Sequence, residues 1–229
     1  MSSGILNNSA PAHIEDLVEK YTTFMEMVLK YNESVNLTAI TDPGEFETKH
    51  FIDSLSIVNS EEYRSAKNII DVGTGAGFPG MPLAILSPDK EFVLVDSLNK
   101  RIKIINECAA GLGIGNVTAV HGRAEDLGKQ TEYREQFDIC VSRAVSGLRI
   151  LAEYCIPFVK NGGRFIAYKG SNIGEELRTS ENALKILGGR IERVEKIPGM
   201  EHCLIYVTKY RNTPKKYPRK AGTPEKNPI

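Results

Sequence analysis

Apolar positions recur every three or four residues along the first part of the chain. Ile14, Leu17, Val18, Tyr21, Phe24, Met25, Val28 and Leu29 form one stripe, which predicts an amphipathic helix over residues 12–31. Phe46, Phe51, Leu55 and Val58 predict a second helical face over Pro43–Val58, entered through Asp42-Pro43. From residue 68 onward short apolar runs alternate with helical stretches. Asn68–Val72, Phe92–Asp96, Val117–His121, Phe137–Val141 and Arg164–Lys169 have the character of strands. Met81–Leu86, Leu98–Leu112, Leu148–Val159 and Ile173–Leu187 supply the helices between them. Such alternation predicts a parallel, doubly wound α/β sheet. Two further runs, Arg190–Lys196 and His202–Thr208, flank Ile197-Pro198-Gly199-Met200 and predict an antiparallel hairpin at the end of the sheet. The expected organisation is a helical extension over residues 1–60, a core over 61–211 and a Pro-rich tail over 212–229, packed as a single domain. Pro214, Pro218, Pro224 and Pro228 argue against regular structure in that tail.

Composition narrows the class. A chain of 229 residues that is 41% hydrophobic and 25% charged suits one soluble domain. No apolar run approaches the ~20 residues of a membrane-spanning helix. Met1–Pro11 lacks the basic and apolar regions of a secretion signal, so the expected location is the cytoplasm. Cys108, Cys140, Cys155 and Cys203 are scattered without metal-binding or disulfide spacing and are expected to be buried thiols. The net charge is zero, yet residues 1–60 carry −6 and residues 209–229 carry +6. A basic end on a neutral body is a candidate contact for phosphate backbones, with a solvated tail as the plain alternative.

Candidate chemistry starts at Asp71-Val72-Gly73-Thr74-Gly75-Ala76-Gly77-Phe78-Pro79-Gly80, between the first strand and the next helix. Glycines there permit positive φ and close backbone approach to a nucleotide or nucleoside. Gly75-x-Gly77-x-x-Gly80 also fits a dinucleotide fingerprint. Asp71 favours a ligand bearing an ammonium, such as S-adenosylmethionine, over a pyrophosphate; its alternative role is a loop cap. Asp96, 23 residues beyond Gly73, ends the second strand, where a carboxylate accepts ribose hydroxyls or caps the following helix. Ala124 and Glu125 follow the third strand and are candidates for reading an adenine, or for a capping turn. Ser142-Arg143-Ala144-Val145 follows the fourth strand at the expected reaction centre. Arg143 is a candidate for orienting the acceptor, or an ion-pair partner of Asp71 or Asp138. His50 and His121 are expected to be surface or packing residues. Parallel strands closed by an antiparallel hairpin form the sheet of Rossmann-like class I methyltransferases, whereas the ordinary dinucleotide fold ends on another parallel unit.

The acceptor is narrowed by elimination. The fourth-strand turn has no Asp/Asn-Pro-Pro-aromatic sequence of the kind used on exocyclic amines. Cys140, the one thiol near enough for attack at a pyrimidine C5, lies within an apolar strand. An acceptor that is already nucleophilic remains, and guanine N7 is such an atom.

Several segments together resemble one family, the bacterial small-subunit ribosomal RNA methyltransferase G, also called glucose-inhibited division protein B. They are Tyr31-Asn32 with Asn36-Leu37-Thr38, His50-Phe51-Ile52-Asp53-Ser54-Leu55, and the Asp71–Gly80 loop. Asp96-Ser97-Leu98-x-Lys100-Arg101, Arg123-Ala124-Glu125, Ser142-Arg143-Ala144 and Lys169-Gly170 follow. The tail Tyr217-Pro218-Arg219-Lys220-Ala221-Gly222-Thr223-Pro224 completes the set, and Thr74 departs from the small residue usual at its position. The resemblance implies N7 methylation of one guanine in 16S rRNA with S-adenosylmethionine as donor. It places cofactor contacts at Gly73, Phe78, Asp96, Ala124, Glu125 and Arg143; no metal is expected from the cysteine spacing. Under it, Lys215, Lys216, Arg219 and Lys220 are expected to hold rRNA phosphates of free 16S rRNA, an assembly intermediate or the small subunit. With no interface signature in the sequence, a monomer is the default expectation.

Overall fold

A computed structural model describes residues 9–143, 146–200 and 202–229, with side chains from Ile14 onward. The described chain opens with α1 (Ser9–Val35), α2 (Pro43–Phe46) and α3 (Glu61–Ser65). Then come β1 (Asn68–Val72), α4 (Gly80–Leu86), β2 (Glu91–Asp96), α5 (Asn99–Gly111), β3 (Val117–His121) and α6 (Ala124–Leu127). β4 (Phe137–Arg143), α7 (Leu148–Cys155), β5 (Val159–Gly170) and α8 (Gly174–Leu187) complete the parallel part. The chain ends with β6 (Gly189–Lys196), β7 (His202–Lys209) and α9 (Thr223–Lys226). Ala144, Val145 and the first eight residues, which carry part of the expected reaction-centre turn and of the 1–60 extension, lie outside the described residues.

Among the described residues seven strands form one sheet in the order β3-β2-β1-β4-β5-β7-β6. β1 to β5 pair in parallel, while β7 runs antiparallel to both β5 and β6. The expected hairpin is present, with its second strand inside the sheet and its first at the edge. Strand order reverses between β1 and β4, which opens a crevice at the carboxyl ends of these strands.

Two-residue periodicity divides the core. Ile69 and Leu94 face α1, α4 and α5, whereas Ile70, Val72 and Val95 face α7 and α8. All four cysteines are buried as free thiols. Among the described residues no helix is long and apolar enough to cross a membrane.

The helix expected over Pro43–Val58 is broken. After α2 the backbone widens to a π-helical stretch at Glu47–Ile52 and tightens to a 3-10 turn at Leu55–Ile57. Its residues must serve two surroundings at once. Phe46, Phe51 and Ile57 enter the apolar core, while His50, Asp53 and Ser54 are buried polar groups that need partners. One straight helix has a single buried face, and the π-turn changes the register between them.

The tail departs more from expectation. It forms α9, and Thr213, Tyr217, Pro218 and Pro224 are buried. Arg134 donates to the carbonyls of Thr213 at 2.7 Å and Tyr217 at 2.9 Å, and Arg149 to those of Pro228 at 2.6 Å and Ile229. The last residues form a strap across α6 and α7.

Beneath the glycine loop, Asp71 is 1% exposed. Its Oδ2 accepts from the Thr74 hydroxyl at 2.7 Å and the Gly80 amide at 2.8 Å. A Cβ on Gly80 would stand 2.9 Å from that oxygen and 2.8 Å from Leu94 Cγ. Gly80→Ala is therefore expected to cost about 1–3 kcal/mol of unfolding free energy by overpacking. Chemical denaturation measures this, and a loss under about 0.5 kcal/mol contradicts the packing described.

Candidate functional site

The crevice deepens into a cavity of about 1170 Å³, more than one nucleoside-sized ligand fills. One half is walled by Gly73, Thr74, Gly75, Ala76, Asp96 and Ser97, the other by His50, Asp53, Arg143, Lys169 and His202.

In the first half the loop curls through three positive-φ glycines, Gly73 at 76°, Gly75 at 62° and Gly77 at 99°. Their freedom serves different ends. A Cβ on Gly77 would lie 2.6 Å from Met81 Cγ, whereas one on Gly75 would meet nothing within 4 Å. Gly77 thus lets the loop pack on α4, and Gly75 leaves space above the loop. Amides of Gly73 and Thr74 donate to the Val95 carbonyl at 2.9 and 3.0 Å, tying the loop to β2. Asp96 stands beside it, with Oδ2 accepting from the Gly75 amide at 3.0 Å and Oδ1 from the Leu98 amide at 2.8 Å. Arg101 also donates to Oδ2 at 3.3 Å, so it is Oδ1 that keeps a second lone pair for a ligand hydroxyl. The open space over Gly75, this held carboxylate and the cavity volume fit a nucleoside-bearing group such as S-adenosylmethionine.

Asp71 caps the loop through Oδ2, while its buried Oδ1 has no hydrogen-bond partner among the described residues. Burial raises its pKa from 3.8 to about 6, against hydrogen bonds from Thr74 and Gly80 that lower it. Thr74, the departure from the family pattern, supplies one of those bonds.

The second half is organised by Asp53, which is fully buried. Its Oδ2 accepts from Arg143 at 2.8 Å, and its Oδ1 lies 3.2 Å from His202 Nδ1. Arg143 also donates to the Lys49 carbonyl and to His50 Nδ1, each at 3.2 Å. The expected ion-pair partners of Arg143 were Asp71 and Asp138. Both are engaged elsewhere: Asp138 accepts from the Lys67 and Asn68 amides at 2.7 and 2.9 Å and pairs with Lys160.

His50 is a packed residue, as expected, but a specific one. Its ring stacks on Phe78 with centroids 4.3 Å apart and planes 7° apart. Because the guanidinium only donates, Nδ1 must accept, and the imidazole proton sits on Nε2, 2.8 Å from Thr38 Oγ1. Asn32 holds Thr38 by bonding both its carbonyl and its amide at 2.9 Å. Phe78 is 5% exposed and shapes the wall from within an aromatic cluster with Phe24, Phe46 and Phe51.

Of the residues expected at a cofactor, Gly73, Phe78, Asp96 and Arg143 wall this cavity. Ala124 and Glu125, at the start of α6, stand off its lining. Glu125 is 4% exposed, and its Oε1 accepts from the Gly222 amide at 2.9 Å. Among the expected phosphate contacts, Lys215, Lys216 and Lys220 are exposed. Arg219 is committed internally: its guanidinium lies 2.7–3.1 Å from both oxygens of Glu153, which is 1% exposed. Lys169 and His202 were missed as cavity residues because strands β5 and β7 come together only in the folded sheet.

Burial, and secondly the Arg143 charge, lower the His50 pKa from 6.5 to about 4, against a smaller opposing effect of Asp53. Between those values the unfolded chain binds a proton that the folded chain does not, so this residue's stabilisation is lost as pH falls from 6.5 to 4. Asp71, with a raised pKa, has the opposite sign between 3.8 and about 6. The His50 contribution is isolated by comparison with His50→Gln. The stability gap between the two proteins is expected to narrow from about pH 7.5 to about pH 4.5 in denaturant titrations; a constant gap contradicts the neutral-imidazole assignment.

Comparisons place this geometry. Residues 17–204 match the family model described as rRNA small subunit methyltransferase G. A protein of that name from Clostridium perfringens strain 13 is 47% identical over 219 residues, covering 94% of this chain and 92% of its own. Its counterpart in Clostridium kluyveri is 48% identical over 216 residues, covering 92% and 91%. A 16S rRNA adenine-N1 methyltransferase from Catenulisporales acidiphilia, solved with its cosubstrate SAM, shares the fold at a TM-score of 0.54 and 19% identity. It covers 76% of this chain and 94% of its own. An SAM-dependent O-methyltransferase from Thermotoga maritima matches at a TM-score of 0.52 and 17% identity, over 82% and 72% of the two chains. The chain belongs to the rRNA small subunit methyltransferase G family.

Proposed function

We propose that this enzyme transfers a methyl group from S-adenosylmethionine to N7 of one guanine in 16S rRNA. The observation that carries the proposal is the continuity of the cavity. It joins the glycine loop and Asp96 to a half bearing Lys49, Arg143, Lys169 and His202. When bound, S-adenosylmethionine supplies an electrophilic methyl group on a sulfonium. Gly73 and Asp96 would hold it, with Ala124 at the adenine end and Phe78 behind the loop.

Guanine N7 has a free lone pair at neutral pH, so the protein need not remove a proton before attack. Its work is to exclude water and hold the base in line. Arg143, fixed by three acceptors, orients the purine or a neighbouring phosphate. Lys169 is similarly restrained, 2.6 Å from Glu176 and 2.7 Å from the Ser146 carbonyl. Lys215, Lys216 and Lys220 add phosphate contacts outside the cavity, with Arg219 serving to hold the strap that carries them. The enzyme acts in the cytoplasm as a monomer on 16S rRNA, an assembly intermediate or the small subunit.

Mass mapping of small-subunit rRNA from cells with and without the protein tests the proposal. One guanine is expected to lose an N7 methyl group when the protein is absent. Purified protein should restore it with S-adenosylmethionine, and Asp96→Ala should weaken cofactor binding by about 10-fold or more. A different methylated base, or no difference between the two rRNAs, contradicts it.

A further inference from the structure

The C-terminal strap is joined to the protein through two carboxylates that burial would otherwise leave without compensation. Glu153 on α7 is 1% exposed and receives Arg219 through its guanidinium and also through its backbone amide at 2.7 Å. Glu125 is 4% exposed and receives the Gly222 amide. Just before these anchors, Pro218 packs beside Gly128, where an added Cβ would stand 3.2 Å from its ring. Tyr217 joins Leu127 in the core on that side of the sheet. The strap thus meets α6 at Glu125 and Leu127 and the turn after it at Gly128.

α6 begins at the turn after β3, the third of the strand ends around the crevice, and Ala124 is its first residue. The Gly122 amide donates to the backbone carbonyl of Asp96 at 3.1 Å, so this turn is tied to the backbone of the residue that carries the proposed ribose carboxylate. The Glu125 side chain, a candidate for reading an adenine, has its Oε1 on the strap and lies off the cavity lining. We infer that Arg219 and Glu153 are positioning residues for the cofactor: by docking the strap they hold Gly222 on Glu125 and set the Ala124–Glu125 turn at the adenine end of the site. The inference rests on the cofactor site assigned above.

Linkage makes it testable from both sides, because a strap that favours cofactor binding must itself be favoured by the cofactor to the same degree. Glu153→Gln keeps the shape of the side chain and removes the charge that Arg219 neutralises. It is expected to raise the Kd for adenosylhomocysteine, and the KM for S-adenosylmethionine, about 10-fold. The kcat on rRNA at saturating cofactor should stay unchanged, a split that general destabilisation does not produce. Arg219→Lys, which keeps the charge but loses the planar fork, should fall between.

In the wild-type protein, saturating adenosylhomocysteine should slow hydrogen exchange at the Gly222 amide, a measurement that needs no variant to fold. Unaltered exchange at Gly222 overturns the inference. So does a Glu153→Gln protein with faster strap exchange, unchanged cofactor affinity and weakened rRNA binding, which would assign the strap to RNA alone. Wild-type protein that binds no adenosylhomocysteine overturns the cofactor assignment itself, and this inference with it.

Discussion

A carboxylate with no access to water must find its partners inside the protein, and Asp53 finds them on two other parts of the chain. Arg143 reaches it from the end of β4 and His202 from the start of β7. The residues on either side of Asp53 belong to the irregular segment that closes the cavity. Removing such a charge from water costs several kcal/mol, and the contacts offset that only when every partner is in place. The position of the Pro43–Val58 segment, the orientation of Arg143 and the stack of His50 on Phe78 therefore stand or fall together. Without that arrangement the crevice between β1 and β4 would lose the wall that makes it a cavity.

The sheet was legible because its signals are local. Alternating apolar runs and helical stretches, together with the Pro198-Gly199 turn, carried the parallel strands and the closing hairpin. The glycine loop and Asp96 were legible for the same reason, since a strand end and the turn after it are neighbours in sequence. Asp53 was not, although it stands in a segment of recognisable type. Its partners lie 90 and 149 residues away, and a pattern of apolar positions has no term for a buried charge. The same limit explains the broken helix, whose two kinds of buried residue cannot share one straight face.

Two assignments changed for electrostatic reasons. Asp71 looked like a contact for a ligand ammonium; under the loop its Oδ2 serves as a cap for Thr74 and Gly80, with Oδ1 left unpartnered among the described residues. The basic tail looked like a phosphate contact along its length. Burial of Glu153 commits Arg219 inside the protein, while Lys215, Lys216 and Lys220 remain outside it. Charge counting along the chain does not separate residues that anchor the strap from those that face solvent.

The dependence of the cavity wall on Asp53 is open to a double-mutant cycle with Asp53→Asn and Arg143→Gln, measured as unfolding free energy in denaturant. The arrangement described predicts that the two losses are strongly non-additive, with a coupling of about 2 kcal/mol or more, because either change alone strands the other partner. Losses that add to within about 0.5 kcal/mol would contradict it, and would mean that the segment and the sheet are held together by other contacts.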